Sequence, residues 1–248
     1  MITAGVDLSS QTTHTASCVV DWVAGGATVT DLALDVGDDA ISTLITEVDK
    51  LGIDVPLGWP VAFANAIARH SRQNGWPVDY AHSDTSAYRY RRTDLWVWKA
   101  LKASPPLSVS TDRIALPAMR AAALLSRLPE RVVLDGSGVV VEVYPAAALR
   151  EWGLIWRGYK RKEKSDARRA LVEHFFRETA PWLAIGKADV DRCLASDDAF
   201  DALVAALVAR AAVVGLVSPI PDEDKRFARR EGWIAVPTAG SLGLLPAG

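Results

Sequence analysis

The chain has 248 residues, 50% hydrophobic and 23% charged, with a formal net charge of −2 at pH 7. These values exclude wholesale disorder, a fibrous chain and a uniformly basic nucleic-acid coat, and the length suits one large domain or two small ones. Two cysteines, Cys18 and Cys193, cannot form a disulfide scaffold or a four-thiolate zinc site.

Thr3–Leu8 reads as a buried strand that contains an acid, Asp7, near its end. His14–Trp22 and Ala27–Leu34 read as two more strands, joined by a turn at Ala24-Gly25-Gly26. Asp38 and Asp39 are N-cap candidates for a helix over Ala40–Lys50, with Ile41, Leu44, Ile45 and Val48 on one face. Gly52–Val55 is a short strand stopped by Pro56, and Pro60–Asn74 is the next helix.

Residues 75–111 break the pattern. Trp76, Tyr80, Tyr88, Tyr90, Trp96 and Trp98 are interleaved there with Arg89, Arg91, Arg92, Lys99 and Lys102, which reads as an insertion. Asp112–Leu128 is helical, with Pro117 as a kink candidate. The run Val139–Tyr144 suits a strand covered on both faces and is stopped by Pro145. Helices are expected at Pro145–Trp152, at Lys164–Thr179 and from Lys187 to about Val214, and Glu231–Val236 reads as a last strand or a packed tail. The most apolar stretch, residues 202–217, is short for a membrane span and carries Arg210. With no secretory pattern after Met1, the expected setting is cytoplasmic.

The near-zero net charge hides segregation: residues 1–68 hold nine acids and one base, and residues 69–120 nine bases and four acids. A second basic block covers residues 150–169. Such blocks suit phosphate contacts through counterion release, or simply a solvated charged face.

Asp7, Asp54 and Glu142 lie at or near the ends of three expected strands, and a long helix carries Asp197, Asp198 and Asp201. Residues 198 and 201 are three apart and share a helix face. Carboxylates at neighbouring strand ends sit about 5 Å or a small multiple apart. Grouping them is costly unless a cation or protons compensate. Oxygen ligands suit Mg²⁺ or Mn²⁺, and two such ions about 4 Å apart can promote phosphodiester hydrolysis. Each acid also has a plainer reading. Asp7 fits a turn before Ser9 and Ser10, Asp54 a structural acid before Pro56, and Asp198 a helix N-cap. Glu142 resists one, because a valine run offers a carboxylate no partner.

A three-strand meander, then helix, strand, helix, strand and closing helix with acids at these places, is the ribonuclease H-like plan. The expected fold is an α/β single domain over 1–248 with a mixed five-stranded sheet. At finer grain the chain resembles domain of unknown function 429, a family described as predicted nucleases. The resemblance is carried by Gly5-Val6-Asp7-Leu8, Ile53-Asp54-Val55-Pro56-Leu57-Gly58, Arg92-Thr93-Asp94, Glu142-Val143-Tyr144-Pro145, Tyr159-Lys160, Asp197-Asp198-Ala199-Phe200-Asp201-Ala202 and Glu231-Gly232-Trp233-Ile234. It implies a metal-dependent nuclease core. Asp7, Glu142, Asp198 and Asp201 would fill the four-acid set of the Holliday-junction-resolvase branch, with Asp54 a fifth acid beside it.

The expected activity is two-metal phosphodiester hydrolysis on DNA or RNA with Mg²⁺ or Mn²⁺. Asp7 would bridge the ions, Glu142 with Asp198 or Asp201 would complete the shells, and Arg92 and Lys160 would contact phosphate oxygens. For Arg92 a salt bridge to Asp94 is the alternative; for Lys160, a surface lysine in a basic run. Two rival functions remain. Asp7-Leu8-Ser9-Ser10-Gln11-Thr12-Thr13 also resembles the first phosphate loop of sugar kinases and actin-like ATPases, although Asp135-Gly136-Ser137-Gly138 precedes its strand where a second loop should follow one. A non-catalytic nucleic-acid or protein binding module is the other.

Overall fold

A computed structural model describes residues 1–77, 84–101, 106–129, 131–160 and 165–247. Tyr80, Lys102 and Lys164 of the sequence analysis lie outside the described residues. Strands β1 (Ile2–Asp7), β2 (Ala16–Val23) and β3 (Gly26–Leu34) make an antiparallel meander, and α1 (Asp38–Glu47), β4 (Lys50–Asp54) and α2 (Val61–Ser71) follow. The insertion contributes α3 (Ser86–Arg89) and α4 (Arg92–Leu101). The remainder comprises α5 (Ala115–Leu125), β5 (Val140–Glu142), α6 (Pro145–Glu151), α7 (Ser165–His174), β6 (Leu183–Ala184), α8 (Lys187–Ala195), α9 (Asp197–Val213) and α10 (Lys225–Glu231).

The sheet has six strands in the order β5-β4-β1-β2-β3-β6, not the expected five. Strand β4 lies parallel to both β1 and β5, and β6 parallel to β3. The sixth strand is only Leu183–Ala184, paired with Ala27 and Thr28, too short to show any alternation. Glu231–Val236 is not a strand; its contact with the sheet is one isolated bridge from Ile234 to Glu142. The long helix expected from Lys187 is interrupted at Ser196, whose extended backbone and side chain cap α9 by accepting from Ala199 N at 3.4 Å.

Side chains alternate across the sheet. Ala4 and Val6 of β1, with Leu8 just after it, face a core made with Ile41 and Ile45 of α1 and Ala118 and Ala121 of α5. Gly5 and Asp7 lie on the other face, which α9 covers. This helix is buried almost all round, from Ala199 to Ala211. It reaches the sheet because Gly5 and Gly52 are cross-strand partners. A Cβ on Gly5 would lie 2.0 Å from the carbonyl oxygen of Ala202, and one on Gly52 2.3 Å from that of Ala205. Thr3 Oγ1 then donates to Ala206 O at 3.0 Å and accepts from Trp22 Nε1 at 2.8 Å, fixing the helix along the strand. The insertion packs back through α4: Val97 joins Ala147, Ile234 and Val236 in a small core of its own. Among the described residues no helix is long and apolar enough to cross a membrane.

Candidate functional site

Two residues beyond each of those glycines stands an aspartate. Asp7 and Asp54 are also register partners across the β1–β4 pair, so their carboxylates emerge side by side toward α9. Asp201, in the first turns of α9, sits one residue before the backbone that touches Gly5. Asp7, Asp54 and Asp201 each offer an oxygen within 4.8 Å of the others. Close helix packing and strand register thus create the cluster.

The cluster is electrostatically loaded. Burial, reinforced by Asp54, holds the Asp7 carboxyl well above the usual range. Burial pushes Asp54 up to about 7, against the pull of Lys160. Asp201, fully buried, is also raised by burial, while Lys160 and Tyr159 oppose the shift. Tyr159 donates its hydroxyl to Asp201 Oδ1 at 2.7 Å, and Lys160 Nζ lies 2.6 Å from Asp201 Oδ2 and 3.9 Å from Asp54 Oδ2. Burial works against the ammonium, yet Asp201, with Tyr159, Asp54 and Asp7, keeps Lys160 well above its ordinary value. Asp7, Asp54 and Lys160 open onto a cleft of about 550 Å³, whose lining includes Arg113, Trp156 and Arg157.

Other candidates stand elsewhere. Asp198 is half-buried at the start of α9 and outside the group of three, although its charge reaches Asp7. Burial and Asp197 raise it, and Ser196 takes the capping role considered for it. Glu142 pairs in register with Ile53, one residue short of Asp54, so it points to the opposite face of the sheet. There Arg91 donates to both its oxygens at 2.7 Å and Leu57 N to Oε2 at 3.0 Å. Burial still raises Glu142, with Arg91 opposing. Glu142, expected to complete a metal shell, is thus outside the group of three and has both oxygens bonded to a guanidinium.

Glu142 and Arg91 line the cleft with Asp7 and Asp54, but Arg92 does not. Its Nε donates to Asp224 at 2.7 Å, and its backbone N to Glu231 Oε2 at 2.8 Å. The salt bridge to Asp94 considered for Arg92 belongs to Arg91, which donates to both Asp94 oxygens, at 3.2 and 2.8 Å. Lys160 is at the site, but on carboxylates. Asp135, Gly136 and Ser137, weighed as a phosphate loop, line a separate cleft of about 410 Å³, and Lys50 Nζ donates to Gly136 O at 2.5 Å.

Sequence reasoning gave no role to Arg91, Tyr159 or Glu231. The signal for Arg91 was Glu142 itself: an acid in a valine run requires a buried cation, and Arg91 is three residues from a second acid. Glu231 accepts from the backbone of both Val61 and Arg92, tying α2 to α4. Its signals were the turn-forming Gly232 after it and its place in the Glu231-Gly232-Trp233-Ile234 motif.

No curated protein and no solved structure matches the chain. A family match does cover residues 5–226, which hold every motif named above except the Glu231 one, and by it the chain belongs to the family described as Protein of unknown function (DUF429).

Proposed function

We propose that this protein is a divalent-metal-dependent nuclease built on a ribonuclease H-like core. The observation that carries the proposal is the meeting of Asp7, Asp54 and Asp201, from two strands and a helix, within 4.8 Å where Asp7 and Asp54 line a cleft. The meander followed by two parallel strands, with an acid at the ends of β1 and β4, supports the fold assignment.

The donor set fits the group. All three ligands are carboxylates, which favours Mg²⁺ or Mn²⁺ over zinc or copper. Burial raises the proton affinity of all three, and Asp54 and Asp201 add to the rise at Asp7. Asp7, Asp54 and Asp201 would hold the cation, which, when bound, supplies Lewis acidity toward a phosphodiester and a more acidic water. The rest falls to the chain. Tyr159 fixes the orientation of Asp201 through its hydroxyl. The exposed guanidinium groups of Arg113 and Arg157 put positive charge at the rim, where a phosphate would arrive. The apolar side chains of Trp156, Val143 and Ile114 exclude water from part of the wall. Asp198, outside the group, adds negative charge that reaches Asp7.

The test is cleavage of a panel of labelled single- and double-stranded DNA and RNA in Mn²⁺ by wild type, Asp7→Asn and Asp201→Asn. Cleavage of at least one substrate by wild type, with both variants reduced about 100-fold or more, is the expected result. Equal cleavage by all three proteins would trace the activity to a contaminant and remove the proposal.

A further inference from the structure

Lys160 competes with any cation for the oxygens of Asp54 and Asp201. Of the two oxygens of Asp201, Oδ1 accepts the Tyr159 hydroxyl at 2.7 Å and Oδ2 carries the Lys160 ammonium at 2.6 Å. The two partners differ in freedom. Tyr159 is 1% exposed, packs edge-on against Phe200, and its carbonyl accepts from Arg168 Nη1 at 3.2 Å. Lys160 is 46% exposed and lines the cleft, so its ammonium can leave Asp201 without disturbing the core. Oδ1 already accepts from a side chain held in the core, which leaves Oδ2 as the oxygen more open to a metal ion. Ammonium and metal ion therefore claim the same atom.

We infer that Lys160 is a displaceable counter-cation: it neutralises Asp201 and Asp54 until a divalent ion takes their oxygens, and the released ammonium then turns into the cleft to meet a substrate phosphate. The charges support an exchange. Three carboxylates with one ammonium carry a formal charge of −2, and with a divalent ion in its place −1. The freed lysine adds a positive charge where an anionic backbone must approach an acidic floor. Metal loading and substrate capture are thereby linked through one side chain. The inference rests on the metal-site reading of Asp7, Asp54 and Asp201.

The experiment uses the full chain and two probes. Calorimetric titration of Mn²⁺ alone into wild type, Lys160→Gln, Lys160→Arg and Asp201→Asn reads the competition. Fluorescence anisotropy of a labelled oligonucleotide in Ca²⁺ reads the capture. Lys160→Gln is expected to bind Mn²⁺ about tenfold or more tightly than wild type yet bind the oligonucleotide more weakly, while Lys160→Arg keeps Mn²⁺ affinity within about threefold. A general structural defect would weaken both ligands together, so opposite signs identify the exchange. Lys160→Met serves the same comparison if the glutamine variant does not fold. Unchanged or weaker Mn²⁺ binding by Lys160→Gln, with wild type binding and Asp201→Asn not, overturns the exchange and leaves the metal site standing. Absence of Mn²⁺ binding in all four proteins overturns both.

Discussion

Glu142 and Asp201 are both buried acids, 2% and 0% exposed, and their neighbours give them opposite roles. An ionised carboxylate in an apolar interior is tolerated only when paired and hydrogen-bonded. Glu142 meets that condition permanently, since Arg91 is itself 2% exposed and holds Asp94 with its remaining edge. Asp201 meets it through a lysine that is half in solvent. Arg91→Met should therefore cost about 3–5 kcal/mol in urea denaturation, because it strands two buried carboxylates. Glu142→Gln should lower stability while leaving Mn²⁺ affinity within about threefold of wild type. A folded Glu142→Gln protein that had lost Mn²⁺ binding would show that Glu142 is a ligand after all. The anomaly at Glu142 was legible in the sequence, because a valine run has no partner for an acid. Its direction was not. Which face a strand residue points to depends on register, and a one-residue offset between Ile53 and Asp54 decides it.

Helix α9 and strands β1 and β4 show how two glycines set the geometry of three distant acids. Gly5-Val6-Asp7 and Gly52-Ile53-Asp54 repeat one pattern, and the register lays the two copies side by side. The missing side chains let the α9 backbone descend onto the strands, and the same descent brings Asp201 to the cluster. Gly52→Ala should destabilise the fold by about 1–3 kcal/mol or more, since its new methyl would meet backbone, which cannot turn aside. Displacing α9 should also separate Asp201 from Asp54, so calorimetry should show weaker Mn²⁺ binding for the folded variant. Full Mn²⁺ affinity in a protein of unchanged stability would mean that the glycines do not position the site. Strands β1 to β4 and most helices were legible, because each buries enough apolar side chains at its own period. The sixth strand was not, with two residues and pairing to one edge. The break at Ser196 carried a cap signal, Ser196-Asp197-Asp198, that the apolar continuity on both sides concealed.

Charge is distributed over the molecule in a way that bears on how a polyanion would approach the cleft. The acids of residues 1–68 include Asp7 and Asp54 of the cluster, whereas exposed bases gather on the helices around the insertion. Helix α10 packs against α4 and α2, and α2 against α3. Together these helices expose Arg69, Arg72, Arg89, Arg226, Arg229 and Arg230. The guanidinium groups of Arg226 and Arg92 lie 4.7 and 5.5 Å from the Phe227 ring, which holds them in place. Helix α4 belongs to both regions, since Asp94 and Val97 also line the cleft. A strand whose phosphate reached Asp7 and Asp54 would thus have a basic flank at hand. Each base that neutralises a phosphate contributes about 0.7–0.9 to the slope of log affinity against log salt. The double variant Arg226→Gln/Arg230→Gln should reduce that slope for oligonucleotide binding by about 1.4–1.8. Its Mn²⁺ affinity should match wild type, because neither residue lines the cleft. Anisotropy titrations at several salt concentrations measure the slope, and an unchanged value would place the nucleic-acid path on another face of the protein.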